Sequence, residues 1–325
     1  MRQRHLGSDG LVTSALGMGC MGLSQGYGPA DDDESVRAIR RAAELGVTMF
    51  DTAMSYGQGH NERLIGRALA GLPWPVQIAT KVGIVRDSAG VHLDGRPEHV
   101  RGYCEASLAR LGIDVIHLYY LHRVDPHVPI ADTIGAMAEL VTEGKVRHLG
   151  VSEVTPAQLE QAVAVHPISA VEFEWSLAWR DPEDDIVPAA RRLGVGIVPY
   201  SPLGRGLLTA TLTRADVDAS DFRRSDPRFT GADLDHNLAR AAELRRVADG
   251  LGLTPGQLAL AWLLAQGPDV VPIPGSRHLD RIEQNAAAAG VRLSEAGLRG
   301  IEAAVPRAAW AGDRRSFAAP ATVRR

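Results

Sequence analysis

The sequence predicts an α/β protein folded as a single (β/α)8 TIM barrel, and three observations carry that prediction. Eight short apolar runs rich in β-branched residues recur along the chain, with helix-length stretches between them. No Ser-, Pro- or Gly-rich linker divides the 325 residues, a length that one α/β barrel fills. Nearly every apolar run ends on a polar or ionisable residue, and C-terminal strand ends are where such barrels carry their chemistry. Residues 1–325 are therefore read as one barrel domain, with about 306–325 as a tail.

The first strand is expected at 14–19. It carries Gly17-Met18-Gly19-Cys20-Met21-Gly22, the Gly-x-Gly-x-x-Gly spacing of dinucleotide-binding open sheets. That spacing needs a helix start behind it. The chain instead continues Leu23-Ser24-Gln25-Gly26-Tyr27-Gly28-Pro29, so the barrel is preferred to an open doubly wound sheet. A helix near 32–45 follows, capped by Asp31 and closed at Gly46. Strand two, 47–52, ends Met49-Phe50-Asp51-Thr52, ahead of a helix near 60–71. Strand three, 76–82, ends Ile78-Ala79-Thr80-Lys81, ahead of a helix near 97–111. Strand four, 115–121, runs into Tyr119-Tyr120-Leu121-His122, ahead of a helix near 130–144. Strand five, 146–151, leads to Ser152, and Thr155-Pro156 opens a helix near 155–165. Strand six, 168–175, contains Val171-Glu172-Phe173-Glu174, and a helix near 181–193 closes at Gly194. Strand seven, 195–200, ends Pro199-Tyr200-Ser201. Residues 203–235 lack periodicity and read as a long loop over one barrel end, before a helix near 236–251. Strand eight, 269–274, ends Pro272-Ile273-Pro274-Gly275-Ser276-Arg277, with one or two helices within 278–304.

Composition narrows the function classes. Hydrophobic residues at 45% and charged residues at 23% describe a globular chain. A net charge of −4 offers no global basic excess for nucleic acid. No apolar run approaches the roughly 18 residues a membrane span needs. Two cysteines, Cys20 and Cys104, and an N-terminus with no apolar signal segment suit the cytoplasm. Only Lys81 and Lys145 are lysines in a chain that otherwise uses arginine, so a lysine inside an apolar strand calls for a chemical explanation.

Asp51, Lys81 and His122 stand at three successive strand ends. Asp51 alone equally reads as a loop cap, and His122 alone as a structural histidine. Lys81 is harder to set aside, because a buried lysine pairs or loses its proton. Asp51 is the expected partner, with a purely structural salt bridge as the alternative. Tyr56 lies five residues past Asp51 in a short loop that returns it over the barrel mouth. A lysine cation ~4 Å away contributes roughly 4 kcal/mol at an effective dielectric of ~20, about three pKa units at the limit. Lys81 is thus expected to make Tyr56 a usable acid, with His122 on the same substrate oxygen. Donating a proton to a carbonyl oxygen needs a hydride for its carbon, and no side chain supplies one, so a cofactor is implied. Ser276, Arg277 and Arg281 near a helix start suit a phosphate, or else belong to an ordinary arginine-bearing surface helix. Tyr200 suits stacking on a flat ring.

These residues resemble the aldo-keto reductases, in the branch with an extended loop after strand seven. The matching segments are Phe50–Gly57, Ala79–Lys81, Tyr119–Arg123, Gly150–Glu153, Pro199–Gly206 and Pro272–Asn285, in order across nearly the whole chain. The resemblance implies a barrel that uses NADPH without a separate nucleotide domain. It implies that Tyr56 is the acid, that Asp51 and Lys81 tune it, and that His122 positions the carbonyl. It implies a cofactor site of Gly19, Met21, Asp51, Ser152, Glu172, Tyr200, Ser201, Pro202, Leu203, Gly204, Gly206, Gly275, Ser276, Arg277, Arg281, Gln284 and Asn285. In that site Ser152 meets the carboxamide, Tyr200 the ring, Ser201–Gly206 the pyrophosphate, and Ser276–Asn285 the adenosine end with its 2′-phosphate. Segments at about Arg4–Leu6 and Leu11–Thr13 look like the family's hairpin at the barrel bottom.

One position departs: the family usually has Gln where this chain has Glu172. A carboxylate only accepts hydrogen bonds, whereas an amide does both. Either Glu172 is protonated, or it pairs with a cation such as Arg123, or the cofactor binds differently, unless the strand shifts and turns Glu172 outward. Glu153, where many relatives have Asn, is a common variant. Tyr27, Met54, Trp175, Trp179 and the 203–235 loop are expected to wall a mainly apolar pocket for a small-molecule aldehyde or ketone. Two readings compete with an NADPH-dependent reductase. One is a nicotinamide-binding sensor or regulatory subunit with little turnover. The other is a metal-dependent hydrolase, which needs clustered ligands such as His-x-His after strand one, and none stand there. No metal, nucleic-acid or membrane partner is expected, and a monomer is the default.

Overall fold

The computed structural model describes residues 1–87, 90–217 and 221–314. The strands are β1 (Gln3–Leu6), β2 (Leu11–Ser14), β3 (Met18–Gly19), β4 (Met49–Asp51), β5 (Gln77–Val82), β6 (Ile84–Asp87), β7 (Gly90–Leu93), β8 (Ile116–Leu121), β9 (Val146–Ser152), β10 (Ile168–Glu174) and β11 (Gly196–Tyr200). Seven of them pair in parallel in the order β11-β10-β9-β8-β5-β4-β3. Residues 269–274 close the ring between its two edges. Val271 N and Ile273 N donate to Ile197 O and Pro199 O on β11, at 2.8 and 3.0 Å. On the other side, Pro272 O and Pro274 O accept from Gly17 N and Gly19 N, at 3.0 and 3.3 Å. Pro272 and Pro274 have no N–H, so this eighth strand joins β3 through acceptors alone and its ladder is irregular. The barrel expected from the sequence is present. Its first strand is shorter than 14–19, because Leu11–Ser14 belongs to the hairpin.

That hairpin, antiparallel β1 and β2, seals the bottom. Asp9 at its tip accepts from Ser169 Oγ at 2.5 Å and pairs with His148 Nδ1 at 2.9 Å. A Cβ on Gly196 would lie 2.5 Å from Leu6, so only glycine lets the plug approach β11.

The helices are α1 (Asp32–Glu44), α2 (His60–Leu69), α3 (Pro97–Leu111), α4 (Ile130–Thr142), α5 (Pro156–Val165), α6 (Ile186–Arg192), α7 (Gly231–Gly250), α8 (Pro255–Ala265), α9 (Leu279–Ala287) and α10 (Glu295–Ala304). Asp31 caps α1 through Glu34 N at 2.8 Å, and Thr155 with Gln158 forms a capping box on α5. The helix expected near 181–193 is broken at Asp185 (φ −138, ψ −63) into a 3₁₀ turn and α6. Two elements differ from the sequence reading outright. The antiparallel hairpin β6–β7 was not expected. Neither was α8, whose residues Leu258 to Leu264 are all buried, so it shows no amphipathic period to read. The described residues of 203–230 carry short 3₁₀ turns at Gly204–Thr209, Arg214–Asp216, Phe222–Ser225 and Pro227–Phe229, and α7 starts at Gly231 rather than near 236. The 306–314 part of the expected tail is packed: Asn237 bonds both Ala311 O (2.9 Å) and Ala311 N (2.8 Å). Residues 315–325 lie outside the described residues.

Strand parity separates two cores. Met49, Ala79, Leu118, Tyr120, Ala170 and Val198 fill the barrel interior. Phe50, Ile78, Tyr119, Leu121, Val171 and Phe173 pack outward against the helices. Two residues beyond an interior residue, at the C-terminal mouth, come Asp51, Lys81, His122, Glu172 and Tyr200. The tightness of the interior shows at Gly150, where a Cβ would lie 2.4 Å from the Tyr120 ring.

Candidate active site

Strand parity thus delivers one ionisable side chain after another to the same mouth. Lys81 is fully buried and its ammonium forms a short contact with Asp51 Oδ1. It also donates to Thr52 O at 3.0 Å and lies 3.3 Å from Glu172 Oε2. Burial alone would lower Lys81, but Asp51 and Glu172 outweigh it and hold the ammonium above its ordinary value. Two carboxylates thus share one cation where water is excluded. Burial pushes Glu172 up to about 8, Asp51 adds to the rise, and Lys81 offsets part of it. Asp51 is also raised by burial, against the pull of Lys81. Asp51 makes the closer contact with Lys81, so of the two carboxylates Glu172 is the one that burial favours in its neutral form. Of the outcomes expected for Glu172, the geometry shows pairing with a cation, and burial favours the protonated form beside it. Glu172 faces inward, and its cation is Lys81 rather than Arg123.

Tyr56 follows Asp51 in a 3₁₀ turn bent by positive φ at Gly57, Gln58 and Gly59. Its ring meets the His122 ring edge-on at 5.8 Å, and Lys81 Nζ lies 5.4 Å from its centroid. Asp51, Tyr56, Lys81 and His122 are therefore brought together. The expected direction of the Tyr56 shift is reversed. Burial pushes the phenol up, and Lys81 recovers only part of this because Asp51 and Glu172 beside it push up as well. His122 is held well below its usual range, by burial first and then by Arg123, Lys81 and Arg86, so its imidazole is neutral. Its Nδ1 is buried without a protein partner, as is Asp51 Oδ2.

Ser152, at the end of β9, accepts from Arg123 Nη1 at 3.1 Å. Tyr200, at the end of β11, donates to Glu153 Oε1 at 2.8 Å. The sequence reading passed over what holds that pair. Arg314 donates to Glu153 Oε1 at 2.7 Å, makes a second short contact with Oε2, and reaches Tyr200 OH at 3.2 Å. Arg314 also lies over the Trp179 ring at 5.6 Å. Burial would raise Glu153, yet Arg314 brings it below the ordinary carboxylate value. Beside them Glu174 accepts from Arg228 (2.6 Å) and Arg205 (3.2 Å), and both arginines also face Asp226. Against a strong burial penalty, Arg228 and Arg205 hold Glu174 at about 2.

After β11 the chain turns sharply, with positive φ at Ser201, Gly204, Arg205 and Gly206. Pro202 and Leu203 complete that turn, which Gly204 N closes onto Ser201 O at 2.8 Å. Ser276 Oγ accepts from His278 N ahead of α9. Arg277 is spent on the chain itself, donating to Pro29 O at 2.7 Å and Tyr27 O at 3.4 Å. Arg281 and Gln284 are exposed on α9, and Asn285 is buried beside Leu16, Gly17 and Met18. Gly19 and Gly275 back onto one another. A Cβ on Gly19 would lie 2.7 Å from Ile273 O, and one on Gly275 would lie 2.5 Å from Gly19 O. Met21 begins a 3₁₀ turn next to them.

Among the expected pocket residues, Tyr27 packs edge-on against Phe222 at 4.9 Å, and Met54 is half-buried beside β5, with N donating to Lys81 O. Trp175 is not in the mouth. It is 1% exposed, donates Nε1 to Glu183 at 3.0 Å and stacks edge-on with Trp262 of α8. Its parity with Val171 and Phe173 turns it outward, and that signal was present in the sequence.

Comparison with known proteins agrees with this geometry. The model of the Aldo/keto reductase family matches residues 15–306. A soybean (Glycine max) protein described as probable aldo-keto reductase 1 is 46% identical over 312 residues, covering 95% of this chain and 90% of its own. The glycerol dehydrogenase of Gluconobacter oxydans superposes with a TM-score of 0.87 at 30% identity, over 98% of this chain and 99% of its own. An aldo-keto reductase of Klebsiella pneumoniae in complex with NADPH gives a TM-score of 0.73 at 26% identity, over 94% and 96%.

Proposed function

The chain belongs to the aldo/keto reductase family and is an NADP-dependent oxidoreductase, and on that premise we propose that it reduces an aldehyde or ketone to the alcohol, with Tyr56 as proton donor. The observation that carries the reading is the buried Asp51–Lys81 pair with Tyr56 and His122 around it at the barrel mouth.

When bound, NADPH supplies hydride to the carbonyl carbon. The residues present suit it. Positive φ at Ser201, Gly204, Arg205 and Gly206 favours a turn whose N–H groups receive phosphate oxygens. A protonated Glu172 offers one donor and one acceptor, as the family's amide does. Ser152, Glu172 and Tyr200 are assigned to the nicotinamide end. Ser201–Gly206 are assigned to the pyrophosphate, and Ser276, Arg281, Gln284 and Asn285 to the adenosine end. Arg277 acts there by holding the 27–29 loop.

Tyr56 stays neutral until the carbonyl oxygen gains negative charge, and an alkoxide is more basic than a phenolate, so a raised phenol remains a competent donor. The Tyr56 O–H bond breaks as the alcohol O–H forms, and the phenolate left behind faces the Lys81 ammonium. Asp51 keeps that ammonium charged. His122, neutral, donates to the carbonyl oxygen and fixes the face presented. Tyr56→Phe tests the assignment. Reduction of a small aldehyde such as 4-nitrobenzaldehyde should fall by several orders of magnitude, while NADPH binding, read by tryptophan fluorescence, stays within about threefold. Near-full activity in Tyr56→Phe would remove Tyr56 as the donor. A wild-type chain that binds NADPH but reduces no aldehyde would instead be the sensor.

A further inference from the structure

We propose that Arg123 is the specificity-determining residue of this site and takes the carboxylate of a short oxo-acid substrate, one whose carboxylate stands within a few bonds of the reacting carbonyl. The proposal rests on the carbonyl-reductase reading and names its substrate class.

Arg123 follows His122 directly past the end of β8 and is 5% exposed. Its Nη1 donates to His122 O at 2.6 Å and Ser152 Oγ at 3.1 Å, which pins the guanidinium between the ends of β8 and β9. Its Nε is buried and has no partner. Among the described residues no carboxylate comes within 4.0 Å of it. Glu153 and Glu172 feel its charge only from a distance, and a buried guanidinium with no carboxylate in contact is expensive unless a ligand supplies one.

The carboxylates nearby are committed elsewhere. Glu153 is held on both oxygens by Arg314. Asp51 faces Lys81, and Glu172 shares that same ammonium. Glu174 and Asp226 are matched by Arg205 and Arg228. Lys81, Arg205, Arg228 and Arg314 thus each have a carboxylate in contact, whereas among the described residues Arg123 has none within 4.0 Å. One guanidinium charge matches one carboxylate, and its planar fork suits carboxylate geometry. Arg123 also helps depress His122, so its charge is felt where the carbonyl oxygen is held.

The test compares kcat/KM with NADPH near pH 7 for two matched pairs: succinic semialdehyde against butanal, and phenylglyoxylate against its methyl ester. Each acid should be preferred by roughly tenfold or more over its neutral partner, the worth of one charge-assisted hydrogen-bonded pair. Arg123→Met should erase the preference, mainly through KM, and Arg123→Lys should keep part of it. NADPH binding, read by fluorescence, should change by less than about threefold in both variants. No acid preference in the wild type would overturn the inference alone, because turnover of butanal or the ester leaves the reductase reading standing. A preference that survives Arg123→Met would overturn it too. So would a parallel loss of NADPH binding, which would assign the guanidinium to the cofactor. Turnover of none of the four by an NADPH-bound chain would remove the reductase reading and this inference with it. If Arg123→Met does not fold, the wild-type comparison still decides.

Discussion

Replacing Glu172 by Gln should change how the protein responds to pH more than any other single substitution at the mouth. Glu172 is 3% exposed, and burial, with Asp51 beside it, pushes its carboxyl from the ordinary 4.5 up to about 8. Between those values the folded chain keeps a proton that the unfolded chain releases. Stability from this group is therefore complete below about pH 4.5 and is lost as pH rises through about 8. At about 1.4 kcal/mol per pH unit, the whole window is worth roughly 5 kcal/mol, an upper figure because Asp51 and Lys81 titrate with it. Gln carries no such proton. The assay is urea unfolding of wild type and Glu172→Gln at pH 5, 6, 7, 8 and 9. The stability of the variant relative to wild type should climb by a few kcal/mol across that range and then level off. Parallel curves would refute the retained proton and imply that Glu172 is ionised throughout.

Activity supplies a second reading of the same group. Above about pH 8 the ionised Glu172 puts a second full negative charge beside Lys81 and raises Tyr56 further. Wild-type reduction should therefore decline with a midpoint near 8, and Glu172→Gln should keep its rate to higher pH. A decline at the same pH in both proteins would assign the alkaline limb to another group.

Other substitutions test the remaining parts of the site. Arg281→Ala, removing an exposed cation from α9, should weaken NADPH roughly tenfold and NADH little, and equal loss in fluorescence titrations would argue against a 2′-phosphate contact. Arg314→Ala leaves Glu153 without its cation at 5% side-chain exposure. Breaking a buried pair costs about 3–5 kcal/mol, so the Tm should fall by several degrees and NADPH affinity should drop as Tyr200 loses its anchor. An unchanged Tm would mean that water already reaches Glu153. Gly19→Ala places a Cβ 2.7 Å from the backbone oxygen of Ile273 at the barrel seam, where nothing flexible can yield. Overpacking of this kind costs about 1–3 kcal/mol, and a wild-type urea midpoint would show that the seam can open.

The parts of the fold and site that were legible in the sequence are those governed by strand parity. Ala79 and Lys81, Met49 and Asp51, Ala170 and Glu172 are two apart, so an apolar interior residue fixes where the next polar one points. The same rule would have turned Trp175 outward with Val171 and Phe173. Where parity or amphipathic period is missing, legibility stops. The run Leu258 to Leu264 is apolar all round, and only its Thr254–Gln257 capping box marks α8 as a helix. The closing strand is obscured by Pro272 and Pro274, which remove the donors that would regularise its pairing with β3. Arg314 and Glu153 are 161 residues apart. In a chain that uses arginine almost everywhere, nothing about Arg314 sets it apart until the fold brings the two together.

The acidity of Tyr56 shows why a pairwise argument from sequence can reach the right residues and the wrong sign. A bare Lys81 cation would lower the phenol. In the folded site that cation is neutralised at contact by Asp51, faces Glu172 as well, and lies where burial penalises any phenolate. What Tyr56 experiences is the net charge of Asp51, Lys81 and Glu172 together. With the proton on Glu172 that charge is zero, and without it the charge is −1. The identity of residue 172 thereby sets how strongly Tyr56 holds its proton, although Glu172 need never touch the phenol.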